Sequence, residues 1–240
     1  MIDWLRKERL EPEIELGGRI LPIELKRHAR ARRLTLRIAP DGSAVKLTLP
    51  QWARSAEAIA FAHAKSDWLA NQLAKLPERK TPQPGSTLHL HGQPHAIEWD
   101  EAHPRKPQLD GSSILVGGPL SSLEARLRRW CEVLALQAFE QDAAHYCAAA
   151  DLKLVPVALS RAQRRWGSCS DQQRIRLNWR LIQAPDFVRR SVVAHEVTHL
   201  VHFDHSPAFH AMLARIFEGE VAEADRWLKR HGRSLYSSFG

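Results

Sequence analysis

The sequence predicts an α+β fold with a β-rich N-terminal part and a mainly helical C-terminal part. Three observations carry that expectation. Apolar residues alternate with polar ones through 14–49, and again in short pieces through 86–117, which is the period of strands. Residues 55–76 and 122–149 change to helical spacing. From 187 onward the apolar residues recur at helical intervals, with a Ser-Pro helix start between two runs. We place the division at 118/119: a β-rich lobe with one long helix over 1–118, and a second lobe over 119–240.

Each element has a local reason. Ile14 and Leu16, then Ile20 to Leu25, then Leu34, Leu36 and Ile38, then Val45, Leu47 and Leu49 read as strands parted by turn signals. Pro40-Asp41-Gly42 predicts a hairpin between the last two. Ile59, Phe61, Trp68, Leu69, Leu73 and Leu76 fall on a helix that Ser55 would cap. Leu123, Leu127, Trp130, Leu134 and Phe139 mark a long helix. Val155 to Leu159 and the alternating run 174–180 read as strands, joined by a loop containing WGSCSDQQ. A buried helix is expected over 187–202. Ser206-Pro207 opens the next, Gly219 ends it, and a last helix runs to about His231-Gly232. No internal repeat is visible.

At 240 residues the chain can bury a core without covalent staples. Hydrophobic content of 44% and charged content of 26% argue against wholesale disorder. Three cysteines without CxxC spacing give no disulfide framework. The opening MIDWLRKERLEPEIEL is charged throughout and lacks the apolar run of a secretory signal, and no stretch is long enough to span a membrane. A cytoplasmic protein is expected. Net charge is +8, and it is uneven: 16 basic against 10 acidic residues over 1–80, 5 against 8 over 81–150, and 14 against 9 over 151–240. That field favours acidic partners, including acidic peptides and nucleic acid.

The segment His195-Glu196-Val197-Thr198-His199 carries the chemistry. Two histidines four apart lie one turn above the other on a helix, where both imidazoles reach one ion. Glu196 is rotated about 100° from His195, beside the position of a metal-bound water. A catalytic zinc site needs three protein ligands and an open position. His202 stays near the right face, but lies about 10 Å along the axis from His195. His205 sits where Asp204 can end the helix and Ser206-Pro207 begins another, so its side chain can fold back. We favour His205, with Glu218, Glu220 and Glu223 as rivals delivered by a later helix.

The run RRWGSCSDQQRIRLNWRLIQAPDFVRRSVVAHEVTHLVHFDHSPAFH resembles the signature of the YgjP-like metallopeptidase family, and more distantly the SprT-like zinc proteases. Its elements here are Trp166-Gly167-Ser168-Cys169, Ile175 to Leu181, Pro185, the HExxH helix, His205-Ser206 and Phe209. The match is best over about 160–215. The resemblance implies a zincin-type fold, one zinc ion bound by His195, His199 and His205, and Glu196 as general base and acid in peptide hydrolysis. Aspartate at 204 stands where relatives often have asparagine, and both suit a helix end.

On that reading the strand 174–180 is an edge that could pair with an extended, acidic peptide. Arg161, Arg164, Arg165, His202 and Tyr236 are the candidates to meet the oxyanion. Cys169 is read as shaping the cleft. Two other functions use the same metal: hydrolysis of a phosphoanhydride, or a metal-stabilised nucleic-acid-binding module without turnover. The lack of a Gly-rich phosphate cradle disfavours the first, and Glu196 beside the water position disfavours the second.

Overall fold

A computed structural model describes residues 12–39, 41–76, 78 and 80–239. The opening segment read for a targeting signal lies largely outside them, and so does Pro40 of the expected hairpin turn. The chain forms two compact units, Met1–Glu78 and Arg79–Gly240.

In the first unit, β1 (Glu13–Leu16), β2 (Arg19–Arg27), β3 (Thr35–Ile38) and β4 (Val45–Leu49) form a sheet of order β1-β2-β4-β3. The pair β2–β4 is parallel and the other two pairs are antiparallel. Val45, Leu47 and Leu49 alternate inward as their spacing requires, and Ala58, Ala62, Leu69 and Leu73 cover them. The helix expected over 55–76 is two helices, α1 (Ser55–His63) and α2 (Ser66–Ala74). Lys65 leaves helical geometry at φ −110°, ψ 18°, and no glycine or proline announces the break. Ser55 is the first helical residue and caps nothing, its Oγ instead accepting from Arg27 at 3.1 Å.

In the second unit, β5 (Thr87–Leu90), β6 (Gln93–Trp99), β7 (Gln108–Asp110) and β8 (Ser113–Val116) repeat that topology in the order β5-β6-β8-β7, again with a parallel central pair. The repetition is one of topology, without a matching sequence repeat. Leu88, Leu90, Ile97, Ile114 and Val116 share a core with Leu127, Trp130 and Phe139 of α3 (Leu123–Ala149). Because these strands bury their apolar face there, the break between units falls after Glu78 and does not coincide with the expected 118/119.

A third sheet has the order β10-β11-β9, with β9 (Val157–Ser160), β10 (Gly167–Cys169) and β11 (Ile175–Asn178). Two expectations are corrected here. β11 pairs with β9 on one side and β10 on the other, so it is the central strand and cannot be an edge. WGSC is not a loop, since Gly167–Cys169 forms an edge strand. The helices α4 (Asp186–Thr198), α5 (Pro207–Ile216) and α6 (Val221–His231) complete the unit. Ser206 caps α5, its side chain accepting from the Phe209 N–H, with proline in the first turn. That helix stops at Ile216, short of Gly219, where Phe217 turns to an extended conformation. The fold is α+β, β-rich toward the N-terminus and helical toward the C-terminus.

Candidate metal centre

Helix α4 is fixed at its start by the β5–β6 turn. His91 and Gly92 both take positive φ (52° and 78°), and their N–H groups donate to Ile182 and Gln183 carbonyls at 2.7 and 3.3 Å. A Cβ on Gly92 would lie 2.8 Å from Pro185 Cγ, so only glycine lets the turn sit against the residue that opens α4. His91 Nδ1 meets Asp186 Oδ1 at 2.7 Å. Arg189 reaches the same oxygen at 2.6 Å and donates from Nε to Asp142 of α3 at 2.7 Å. Arg190 adds a bond to Glu218 at 2.8 Å and one to the Tyr146 hydroxyl at 3.0 Å. The first half of α4 is thereby held by charge, and its second half is free to present histidines.

Those histidines converge. His195 Nε2 lies 3.1 Å from His199 Nε2 and 3.2 Å from His205 Nε2. Among the described residues this is the group of three whose ligand atoms fall within 4.8 Å of one another. The helix does not run to 202 as expected: it ends at Thr198, with His199 as its C-cap. The next N–H groups tighten, Leu200 to Val197 O at 3.0 Å and Val201 to Thr198 O at 3.1 Å. His199 Nδ1 then donates to the His202 carbonyl at 2.8 Å, which leaves Nε2 as the free lone pair. Asp204 accepts from the Ser206 N–H at 3.3 Å and holds the corner that returns His205. Beneath all three rings lies Phe209, fully buried, with centroid distances of 4.9, 4.7 and 4.8 Å to His195, His199 and His205.

Glu196 is 6% exposed and lines a cleft of about 260 Å³ with Gly167, Ser168, Cys169, His195, His199 and Phe203. Burial pushes its carboxyl up to about 7, opposed by the positive charge of Arg165 and by a hydrogen bond from the Cys169 N–H. Burial, then the neighbouring imidazoles of His199, His205 and His210, push His195 down to about 4. A neutral imidazole is the form that ligates. Three imidazole Nε2 atoms facing one another suit a borderline-soft divalent ion such as zinc.

The YgjP-like metallopeptidase domain matches residues 32–231 of this sequence. The chain belongs to that family. All three histidines, Glu196 and the β10 strand fall within the matched span, so the chain carries a metallopeptidase domain. Among solved structures, it is similar to the metallopeptidase zymogen of Pyrococcus abyssi abylysin, with 21% identity over 40% of this chain and 96% of that chain, at a TM-score of 0.36. No curated protein matches. No helix among the described residues is long and apolar enough to cross a membrane.

The remaining expected residues fall elsewhere. His202 contributes its carbonyl to His199 rather than its ring to the cluster. Glu218 is engaged by Tyr146 and Arg190. Glu220 and Glu223 belong to the start of α6, outside the histidine group. Tyr236, one oxyanion candidate, is buried with its hydroxyl bonded to Asn178 Nδ2 at 3.1 Å. Arg161 pairs with Glu132 at 2.8 Å. Cys169 lines the cleft, and its thiol is pushed up to about 11 by burial and by the Glu196 charge. Phe209, expected as one position of an apolar stripe and as an element of the family signature, lies against all three imidazoles. The role of the His202 carbonyl was hidden in the sequence, because a helix expected to reach 202 leaves no C-cap at His199.

Proposed function

We propose that this chain is a zinc-dependent peptidase that binds one zinc ion through His195, His199 and His205 and uses Glu196 as general base and then general acid. The observation that carries this is the convergence of three imidazole Nε2 atoms, two of whose rings line one cleft with a buried carboxylate. When bound, zinc supplies Lewis acidity to a substrate carbonyl and lowers the pKa of a coordinated water toward about 7. His199 keeps its Nε2 aimed at the ion by donating Nδ1–H to the His202 carbonyl. Phe209 fixes the planes of the three rings from below. Glu196 accepts a proton from water at its carboxylate and delivers it to the leaving amine.

The edge strand β10 is where an extended peptide would pair. Trp166 O accepts from Asn178 N and Ser170 N donates to Arg174 O, so alternate residues face β11. Between them the backbone groups of Gly167 and the Cys169 carbonyl face the open side, beside the cleft, while the Cys169 N–H is taken by Glu196. Strand addition there would carry the scissile bond past Glu196. Arg165, whose charge reaches Glu196, favours acidic residues nearby.

Two variants test the reading. Glu196→Gln is expected to keep about one zinc per chain by mass spectrometry and lose peptide hydrolysis, because an amide cannot take the proton. His205→Ala is expected to lose zinc during purification. Activity in the glutamine variant would remove Glu196 from the mechanism, and full zinc in the alanine variant would remove His205 from the ligand set.

A further inference from the structure

Gly167 lacks the one side-chain atom that would collide with Glu196. An ideal Cβ at this position would lie 2.6 Å from Glu196 Cγ and 2.7 Å from its carboxyl carbon, closer than the 3.0 Å that real Cβ contacts respect, and it would overlap Oε1. The backbone does not explain the glycine. Gly167 lies in an extended strand and is not among the positive-φ glycines, so alanine fits its dihedral angles. The requirement is one of space alone.

The carboxylate cannot simply step aside. Glu196 stands on the buried face of α4, and its Cγ is only two bonds from the helix backbone. Two residues along the same strand, Cys169 directs its N–H to the same carboxylate. Gly167 and Cys169 therefore both meet the carboxylate, the first giving room and the second an anchor. Trp166, which precedes the strand, is itself pinned against Tyr236, with ring centroids 5.7 Å apart.

We propose that Gly167 is a positioning residue, whose missing side chain is the seat of the Glu196 carboxylate against the edge strand. Any Cβ there displaces the carboxylate from its place between water and leaving amine. This rests on the reading of Glu196 as the base. A displacement of about 1 Å at such a group costs on the order of a hundredfold in rate.

The test uses the full-length, zinc-loaded protein and two readouts. Thermal unfolding is measured for Gly167→Ala, Glu196→Ala and the double variant. Overpacking predicts that Gly167→Ala lowers Tm by about 3 °C with glutamate present, and leaves it unchanged once Glu196→Ala has emptied the space. Equal losses in both backgrounds would overturn the contact. Hydrolysis of a quenched-fluorescent casein-derived peptide is then followed with zinc content matched.

Gly167→Ala is expected to lower kcat about a hundredfold with KM within about threefold. In the Glu196→Asp background, where the carboxylate is one methylene shorter, the same change should cost little further. An unchanged kcat in Gly167→Ala, with Glu196→Gln inactive, overturns the positioning role and leaves the base intact. An active Glu196→Gln overturns the base instead, while the thermal cycle still decides the contact.

Discussion

Removing Asp142 should unlock α4 from α3. Arg189 donates Nε to Asp142 Oδ2 at 2.7 Å and a terminal nitrogen to Oδ1 at 3.4 Å, and the two side chains are 7% and 10% exposed. Stripping the partner from a buried ion pair costs about 3–5 kcal/mol, because a charge is left in a poor solvent for it. Asp142→Ala does not reach that limit. Asp186 still holds Arg189 at 2.6 Å, although from a half-exposed position. We expect a loss of about 2–3 kcal/mol, which raises the unfolded population by roughly 30- to 150-fold. Urea unfolding of the full-length protein, followed by tryptophan fluorescence and circular dichroism, gives the value. The double change Asp142→Leu with Arg189→Met removes the stranded charge and should cost less than Asp142→Ala alone. A single-variant loss below about 0.5 kcal/mol, or a double variant worse than the single, would refute the claim that this pair anchors the helix.

Three further outcomes can be checked directly. Ser206→Ala removes the side-chain acceptor of the Phe209 N–H and should cost about 1 kcal/mol in urea unfolding; zinc affinity should fall with it, since His205 is the adjacent residue. Phe209→Ala should cost about 3–5 kcal/mol as a fully buried ring is lost, and bound zinc should be released at lower chelator concentration. Cys169, pushed up to about 11 from the ordinary 9.0, is mostly thiol at pH 8. Its alkylation in the folded protein should run about a hundredfold slower than after unfolding, because the thiolate fraction falls by that factor. Peptide mapping of the alkylated cysteine reads the ratio, and equal rates would place the thiol in open water.

Much of this was legible where a single periodicity governs a segment. The helix over 122–149 and most strands of 14–49 and 86–117 declare themselves because one face of each is buried and the pattern repeats that fact; β7, exposed at all three positions, is an exception. The Ser206-Pro207 start was readable for a different reason, a local hydrogen bond encoded in two adjacent residues. What stayed hidden depends on partners distant in sequence. Whether β11 lies at an edge is decided by β9 and β10 and not by its own alternation. Nothing in WGSC states that its glycine faces a glutamate twenty-nine positions later, since 196 − 167 = 29. The apolar faces of β5–β8 likewise do not reveal from sequence that α3 covers them.

The end of α4 does more for the site than its length. A helix continued to 202 would place that residue about 10 Å along the axis from His195 and leave only Phe203 and Asp204 in which to turn the chain back. Stopping at Thr198 places His199 where its ring can reach forward, and the bond from Nδ1 to the His202 carbonyl selects the ring nitrogen left for a metal. The same tightening turns the chain through Phe203 and Asp204, so that His205 arrives within 3.2 Å of His195. One histidine therefore terminates the helix, sets its own tautomer and begins the corner that supplies the third nitrogen. A substitution that lengthened α4 by one turn would remove His205 from the cluster without touching any of the three imidazoles.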